Sequence, residues 1–367
     1  MKKIICIFGT RPEAIKMVPV IRELRKYPGR CKVTICVTAQ HREMLDQVLS
    51  VFDLKPDIDL NLMRDNQSLE ELTAGSIKAL SKVIGKTNPD LVLVQGDTTT
   101  AMAAALAAFY QKIPIGHIEA GLRTDNIYNP FPEEVNRKII SILSAYNFAP
   151  TKKAWEALLK EDIDRGTIFF TGNTIVDALK AIISKKNGSG IKVLPPLSRE
   201  KIILVTAHRR ENFGKPLKNI CQALKIIAQR NQDIEIVYPV HLNPNVRSAV
   251  YGILDNLSGV RLSAPLAYPE FIGLLNRCYL VLTDSGGIQE EASVLGKPVL
   301  VLRNETERPE GVAAKVAKLV GTDPQVIIEN VERLLSKPRE YKQMSKASDL
   351  YGDGRAAGKI VRIILGM

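Results

Sequence analysis

Short apolar runs rich in β-branched residues alternate along the chain with longer stretches in which apolar positions recur every three or four residues. The runs predict buried strands and the stretches predict amphipathic helices. In the first half the predicted strands cover 3–8, 32–37, 90–95, 114–118 and 146–149, with helices between them. The pattern lapses over 186–199, a segment with Gly, Ser and paired Pro that reads as a surface loop. It restarts with strands near 201–206, 234–239, 279–283 and 298–302, and the tail 354–367 reads as helical.

Such alternation builds a parallel sheet wrapped by helices, so the predicted fold class is α/β with two Rossmann-like doubly wound domains. A length of 367 residues also exceeds a single typical core. A crossing near Thr171-Gly172-Asn173 places the first domain at 1–171 and the second at 172–353, with the tail expected to pack back on the first. Two halves facing each other would set the C-terminal ends of both sheets along one cleft, where ligands of such folds bind.

The residues that follow each strand are therefore the candidates for chemistry. After 279–283 come Asp284-Ser285-Gly286-Gly287, then a helical stretch carrying Glu290 and Glu291. This is either an ordinary tight turn or an anion site, in which free N–H groups and the helix dipole face a phosphate. Adjacent helical residues point about 100° apart, so at most one of Glu290 and Glu291 aims squarely into the same cleft.

After the first strand, Gly9 permits a turn, Pro12 and Glu13 suit a helix start, Arg11 stands at the mouth and Lys16 lies about one turn in. The second strand is followed by Thr38-Ala39-Gln40-His41-Arg42, a dense polar set. Asp97, after the third, is either a helix cap or a reacting carboxylate. Glu119 ends an apolar strand, a costly place for a carboxylate unless it is paired or used. Glu133 and Glu134 follow Pro132 at a helix start, where capping accounts for one of them. In the second half His208 with Arg209 and Arg210 would suit a diphosphate. All four histidines, His41, His117, His208 and His241, fall at or next to a predicted strand end.

Composition narrows the class. A net charge of +12 suits an acidic ligand, yet the basic residues are dispersed and aromatics are only 5%, so nucleic acid is not expected as a partner. No apolar run approaches the ~20 residues that span a bilayer, and membrane insertion is not expected. The five cysteines, odd in number and mostly within apolar runs, read as reduced buried thiols of a cytoplasmic protein, not as a zinc site.

Taken together the segments resemble the non-hydrolysing UDP-N-acetylglucosamine 2-epimerases, with motifs in the same order over nearly the whole chain. They are FGTRPEAIK at 8–16, TAQHREM at 38–44, QGDTTT at 95–100, GHIEAGLRT at 116–124, FPEEVNR at 131–137, TGNTIVDAL at 171–179, TAHRREN at 206–212, LTDSGGIQEEA at 282–292 and TERPEG at 306–311. The resemblance implies the two-domain GT-B fold, a homodimer, a nucleotide-sugar substrate and no metal or nicotinamide cofactor. It implies UDP contacts at Arg11, Lys16, His208, Ser285, Gly286, Gly287, Glu291 and Arg308, with Phe271 near the uracil. It implies acid/base chemistry at Asp97, Glu119 and Glu133, with His208 assisting departure of UDP. A second, activating UDP-GlcNAc would meet Gln40, Gln67, Glu133, Arg209 and His241. Some relatives carry Gln at the position of Glu43 and Arg at that of Asn66, a departure that bears on activation. The alternative readings are a hydrolysing epimerase that releases ManNAc and UDP, and a UDP-sugar glycosyltransferase of the same fold.

Overall fold

A computed structural model describes the whole chain except residues 39–41, 63–66 and 186–198 and the side chains of 42–44 and 185. The chain forms two compact units, Met1–Lys180 with Tyr351–Met367, and Ala181–Leu350. Strands and α-helices alternate from the first strand to the thirteenth helix, and two further helices follow. The first unit begins β1 (Lys2–Phe8), α1 (Arg11–Leu24), β2 (Cys31–Val37), α2 (Arg42–Val51), β3 (Ile58–Asp59), α3 (Leu69–Thr87), β4 (Leu91–Gln95) and α4 (Thr99–Tyr110). It continues β5 (Ile115–Ile118), α5 (Glu133–Leu143), β6 (Tyr146–Ala149), α6 (Lys152–Lys160), β7 (Ile168–Phe170) and α7 (Thr174–Lys185). The chain leaves this unit within α7, after Lys180.

The second unit holds β8 (Lys201–Thr206), α8 (Lys215–Arg230), β9 (Ile234–Pro239), α9 (Pro244–Leu254), β10 (Val260–Ser263), α10 (Tyr268–Arg277) and β11 (Leu280–Thr283). After these come α11 (Gly286–Val294), β12 (Val299–Val301), α12 (Pro309–Ala313), β13 (Ala317–Leu319), α13 (Pro324–Ser336) and α14 (Pro338–Met344). The returning chain ends in α15 (Ala356–Leu365), which packs on α1. Asp177 accepts from the first N–H groups of α15, those of Ala356 and Ala357, at 3.2 and 3.0 Å.

Every strand pairing is parallel. The sheet orders are β3-β2-β1-β4-β5-β6-β7 and β10-β9-β8-β11-β12-β13. In each sheet the order reverses beside its first strand, between β1 and β4 and between β8 and β11. Such a switch point parts the loops beyond the strand ends and opens a crevice there. The pairs Thr206–Thr283 and Gln95–Ile118 show that neighbouring strands end level, so their following residues share one rim.

Strands buried on both faces need apolar residues at consecutive positions. Ile4 to Phe8 and Leu91 to Val94 meet that need and are no more than 1% exposed. In the first unit Ile5, Ile7, Val92 and Val94 pack on α4, whose alanines from Ala101 to Ala108 are all buried. Small side chains let this helix lie close to both α3 and α5. In the second unit Leu217, Ile220 and Leu224 of α8 and Ile327 and Val331 of α13 cover β8 and β11. Burial of each large aliphatic contributes about 1.5–3 kcal/mol. Among the described residues no helix is long and apolar enough to cross a membrane. All five cysteines are buried and unpaired, and burial pushes the Cys6 thiol up to about 12.

Candidate active site

In the first unit the rim begins at the β1–α1 turn. Glu13 accepts from the backbone N–H of Gly9 and Thr10 at 3.1 and 2.8 Å, which closes a capping box over the start of α1. Thr98 Oγ1 donates to the other Glu13 oxygen at 2.8 Å, so one buried carboxylate joins the turns after β1 and β4. Arg11, half-buried, is the first residue of α1.

Glu119 follows the last residue of β5 with φ +69°, in the left-handed region that a non-glycine residue enters at a cost of about 1–2 kcal/mol. The residue is 8% exposed. Lys16 Nζ donates to Oε1 at 2.5 Å, Asn173 Nδ2 to Oε1 at 2.9 Å and Gln95 Nε2 to Oε2 at 2.5 Å. Lysine has no acceptor, and both amides present their NH2 groups, so Glu119 accepts from all three of these partners. The expected pairing of this carboxylate is thus explicit, and Lys16, expected at a diphosphate, reaches Glu119.

Asp97 does not cap α4. Thr98 does, by accepting the Ala101 N–H at 3.1 Å. Arg137 of α5, 3% exposed, donates instead to Asp97 Oδ2, and Asn136 Nδ2 donates to the Asp97 carbonyl at 2.9 Å. At the start of α5, Glu134 is the structural carboxylate: it accepts from the N–H groups of Thr124 and Asp125 and from Arg137. Glu133, half-buried, opens the same helix one residue earlier.

His117 is wholly buried, with Nε2 at 2.7 Å from the Gly96 carbonyl oxygen, and burial pushes its imidazole down to about 4. This histidine is a core support for the β4–α4 turn, so strand-end position alone does not mark a reacting histidine. Gln67 stands half-buried just ahead of α3. Gln40, expected at an activator site, and His41 lie outside the described residues, as does most of the expected loop 186–199.

In the second unit the residues after β11 form the predicted strand–turn–helix. Ser285 precedes α11 and makes no side-chain cap. Gly286 is required by close approach: a Cβ there would lie 2.4 Å from Arg308 Nη1 and 2.8 Å from Glu307 Oε1. Gly287 faces open space, with nothing within 4 Å of an added Cβ. Arg308 is held by Glu290 through Nε at 2.7 Å and by Glu307 through Nη1 at 2.5 Å. Glu291 instead accepts from the Tyr268 hydroxyl at 2.8 Å, so the two adjacent carboxylates do diverge.

Burial would raise the Glu307 carboxyl, but Arg308, Arg209 and Arg303 override it and hold Glu307 well below the usual carboxylate range. Asp284, fully buried, accepts from the backbone N–H of His208 and Arg209 at 2.8 Å each and from Asn212 Nδ2 at 3.0 Å. It thereby fixes the turn after β8 against the start of α11. The His208 and His241 rings stack with centroids 5.1 Å apart, and His241 Nδ1 accepts from the Asn243 N–H at 3.1 Å. That bond leaves the His241 proton on Nε2 in the neutral ring. Phe271, half-buried, lies on α10 with Tyr268.

Each unit thus presents one chemistry: carboxylates with cationic and amide partners in the first, an arginine-flanked helix N-terminus in the second. Sequence reasoning did not single out Gln95, Arg137, Asn173, Tyr268, Asp284 or Glu307. Among the described residues no group of His, Cys, Asp and Glu side chains is gathered to hold a metal ion.

The family model described as UDP-N-acetylglucosamine 2-epimerase matches residues 22–365. A UDP-N-acetylglucosamine 2-epimerase of Campylobacter jejuni is 53% identical over 375 aligned positions, covering 100% of this chain and 98% of that protein. One from Escherichia coli K12 is 51% identical, covering 99% and 98%. A crystal structure of the Neisseria meningitidis UDP-GlcNAc 2-epimerase bound to UDP-GlcNAc superposes with a TM-score of 0.97 at 49% identity, covering 100% of both chains.

Proposed function

Since the chain belongs to the UDP-N-acetylglucosamine 2-epimerase family, we propose that it reversibly inverts C2 of UDP-GlcNAc to give UDP-ManNAc, without net hydrolysis, for cell-surface polysaccharide synthesis. The observation that carries the mechanism is Glu119, a buried carboxylate in strained backbone at a strand end, accepting from Lys16, Gln95 and Asn173.

C2 of the sugar bears an amide nitrogen, so its proton is too weakly acidic for simple enolisation. Elimination avoids this difficulty. The C1–O bond breaks with its electron pair leaving on the UDP oxygen, positive charge builds on the ring, and the C2 proton passes to a carboxylate. The product is a 2-acetamidoglucal beside UDP. Protonation of C2 from the opposite face and return of UDP to C1 give the epimer, so atoms and electrons balance without a redox partner.

Charge developing on the departing diphosphate is stabilised by preorganised donors, the largest single effect in many enzymes. We assign this task to Arg11, His208, Arg308 and the N-terminus of α11 at Ser285, Gly286 and Gly287, with Lys16 serving both Glu119 and the phosphates. Glu291, steadied by Tyr268, is suited to ribose hydroxyls, and Phe271 to the uracil. Proton traffic on two faces of one carbon calls for at least two carboxyl groups, and Asp97, Glu119 and Glu133 supply three. The active assembly in this reading is a homodimer. Gln40, Gln67, Glu133, Arg209 and His241 bind an activating UDP-GlcNAc, and the His208–His241 stack supports contact between activator and catalytic groups.

Proton and phosphorus NMR of a reaction with UDP-GlcNAc tests the product. UDP-ManNAc with its diphosphate ester intact is expected. Free ManNAc and UDP as the main products would overturn the non-hydrolysing reading and select a hydrolysing epimerase.

A further inference from the structure

Granting the epimerisation proposed above, we infer that Asn173 is a positioning residue for Glu119, tying the reacting carboxylate to the place where the chain passes between its two units. Asn173 is 2% exposed, and its polar groups are engaged in three directions. Its backbone N–H donates to the Tyr351 carbonyl at 2.7 Å. Its Oδ1 accepts the Ile175 N–H at 3.0 Å, the bond of an N-cap residue at the start of α7. Its Nδ2 donates to Glu119 Oε1 at 2.9 Å. The amide cannot be reversed without setting Nδ2 against the Ile175 N–H, donor against donor, so the NH2 group must face the carboxylate.

The placement of these partners gives the contact its meaning. The chain departs from the first unit within α7 and returns to it at Tyr351. One side chain and its own backbone therefore join both passages to Glu119, a residue 54 positions away from Asn173 in sequence. Lys16 and Gln95 fix the same carboxylate from α1 and β4, so Asn173 is its link to the passages. Catalytic groups misplaced by about 1 Å lose on the order of 100-fold in rate, which makes such a link consequential. The contact also gives the motif TGNTIVDAL at 171–179, which carries no reacting group, a task in the chemistry.

Two substitutions separate capping from positioning. Asn173→Ser and Asn173→Asp each keep an N-cap oxygen for α7 and remove the amide donor to Glu119. Activities are taken per UDP-binding site titrated by calorimetry, so unfolded protein does not count as lost catalysis. Expected for Asn173→Ser are a UDP Kd and a KM within about threefold of wild type, with kcat at least about tenfold lower. Wash-out of the C2 proton into D₂O should fall by the same factor. Asn173→Asp should fall further, because it sets a second carboxylate against Glu119.

Wild-type kcat and exchange in the Ser variant, or a loss confined to KM or UDP affinity, would overturn the inference. A wild-type protein that neither forms UDP-ManNAc nor exchanges its C2 proton would instead overturn the functional reading on which it stands.

Discussion

His117 and Glu13 are fully buried beside the strand ends of the first unit, and their ionisations act in opposite directions. Burial pushes His117 down to about 4 from its ordinary 6.5, so the stability it contributes is complete above 6.5 and lost as pH falls through about 4. Burial pushes Glu13 up to about 7 from 4.5 against its four hydrogen bonds, so its contribution is complete below 4.5 and lost as pH rises through about 7. The two oppose each other over one window, and wild-type stability alone reveals neither. The difference between wild type and His117→Asn isolates the histidine. Going from about pH 7 to about pH 4.5, the destabilisation caused by the substitution should shrink by roughly 2–3 kcal/mol in denaturant unfolding. A difference independent of pH would mean that His117 is not buried neutral.

These residues also mark what was legible at this scale. A carboxylate ending an apolar strand is enough, in the sequence alone, to predict a partner or a task for Glu119. The partner itself, Lys16, lies 103 residues away, and no local signal points to it. The same holds for Arg137 at Asp97 and for Asp284 at the His208 turn, contacts that exist only once separate strands end on one rim.

Among the elements, the predicted strands are the interior strands of both sheets, and those left out, β3, β7, β10 and β13, are the four sheet edges. Edge strands cover only part of their surface. β3 and β10 have no buried position and β7 and β13 have one each; three of them mix polar with apolar residues, and β7, Ile168-Phe169-Phe170, is apolar but only three residues long. The start of α11 offers the sharpest test at this scale. Gly286→Ala forces a Cβ onto the Arg308 guanidinium, whereas Gly287→Ala adds one in open space and removes a helix-disfavouring residue. Both variants should lose at least about tenfold in UDP affinity by calorimetry. Only Gly286→Ala should lower the Tm of the free protein, by about 2–4 °C for each kcal/mol lost. Equal Tm losses in both would contradict the close approach at Gly286, and unchanged UDP affinity in Gly287→Ala would remove α11 from the diphosphate site.

At the scale of the whole molecule, each unit is a doubly wound sheet whose switch point gathers its own set of polar groups. The first gathers carboxylates with cationic and amide partners and the second gathers arginines around a helix N-terminus, while a net charge of +12 suits an anionic ligand. The family and the two-domain α/β class were legible because ordered motifs and buried parallel strands are written in contiguous residues. The donors that steady the carboxylates were not, because folding alone brings them together. The central claim is that C2 loses its proton to a protein carboxylate while UDP is detached. It is tested most directly by converting UDP-GlcNAc in D₂O and examining the UDP-ManNAc formed by NMR and mass spectrometry. The account predicts one solvent deuterium at C2 of the product, at a rate lowered by on the order of 100-fold or more in Glu119→Gln. UDP-ManNAc formed with the original C2 hydrogen retained would contradict it.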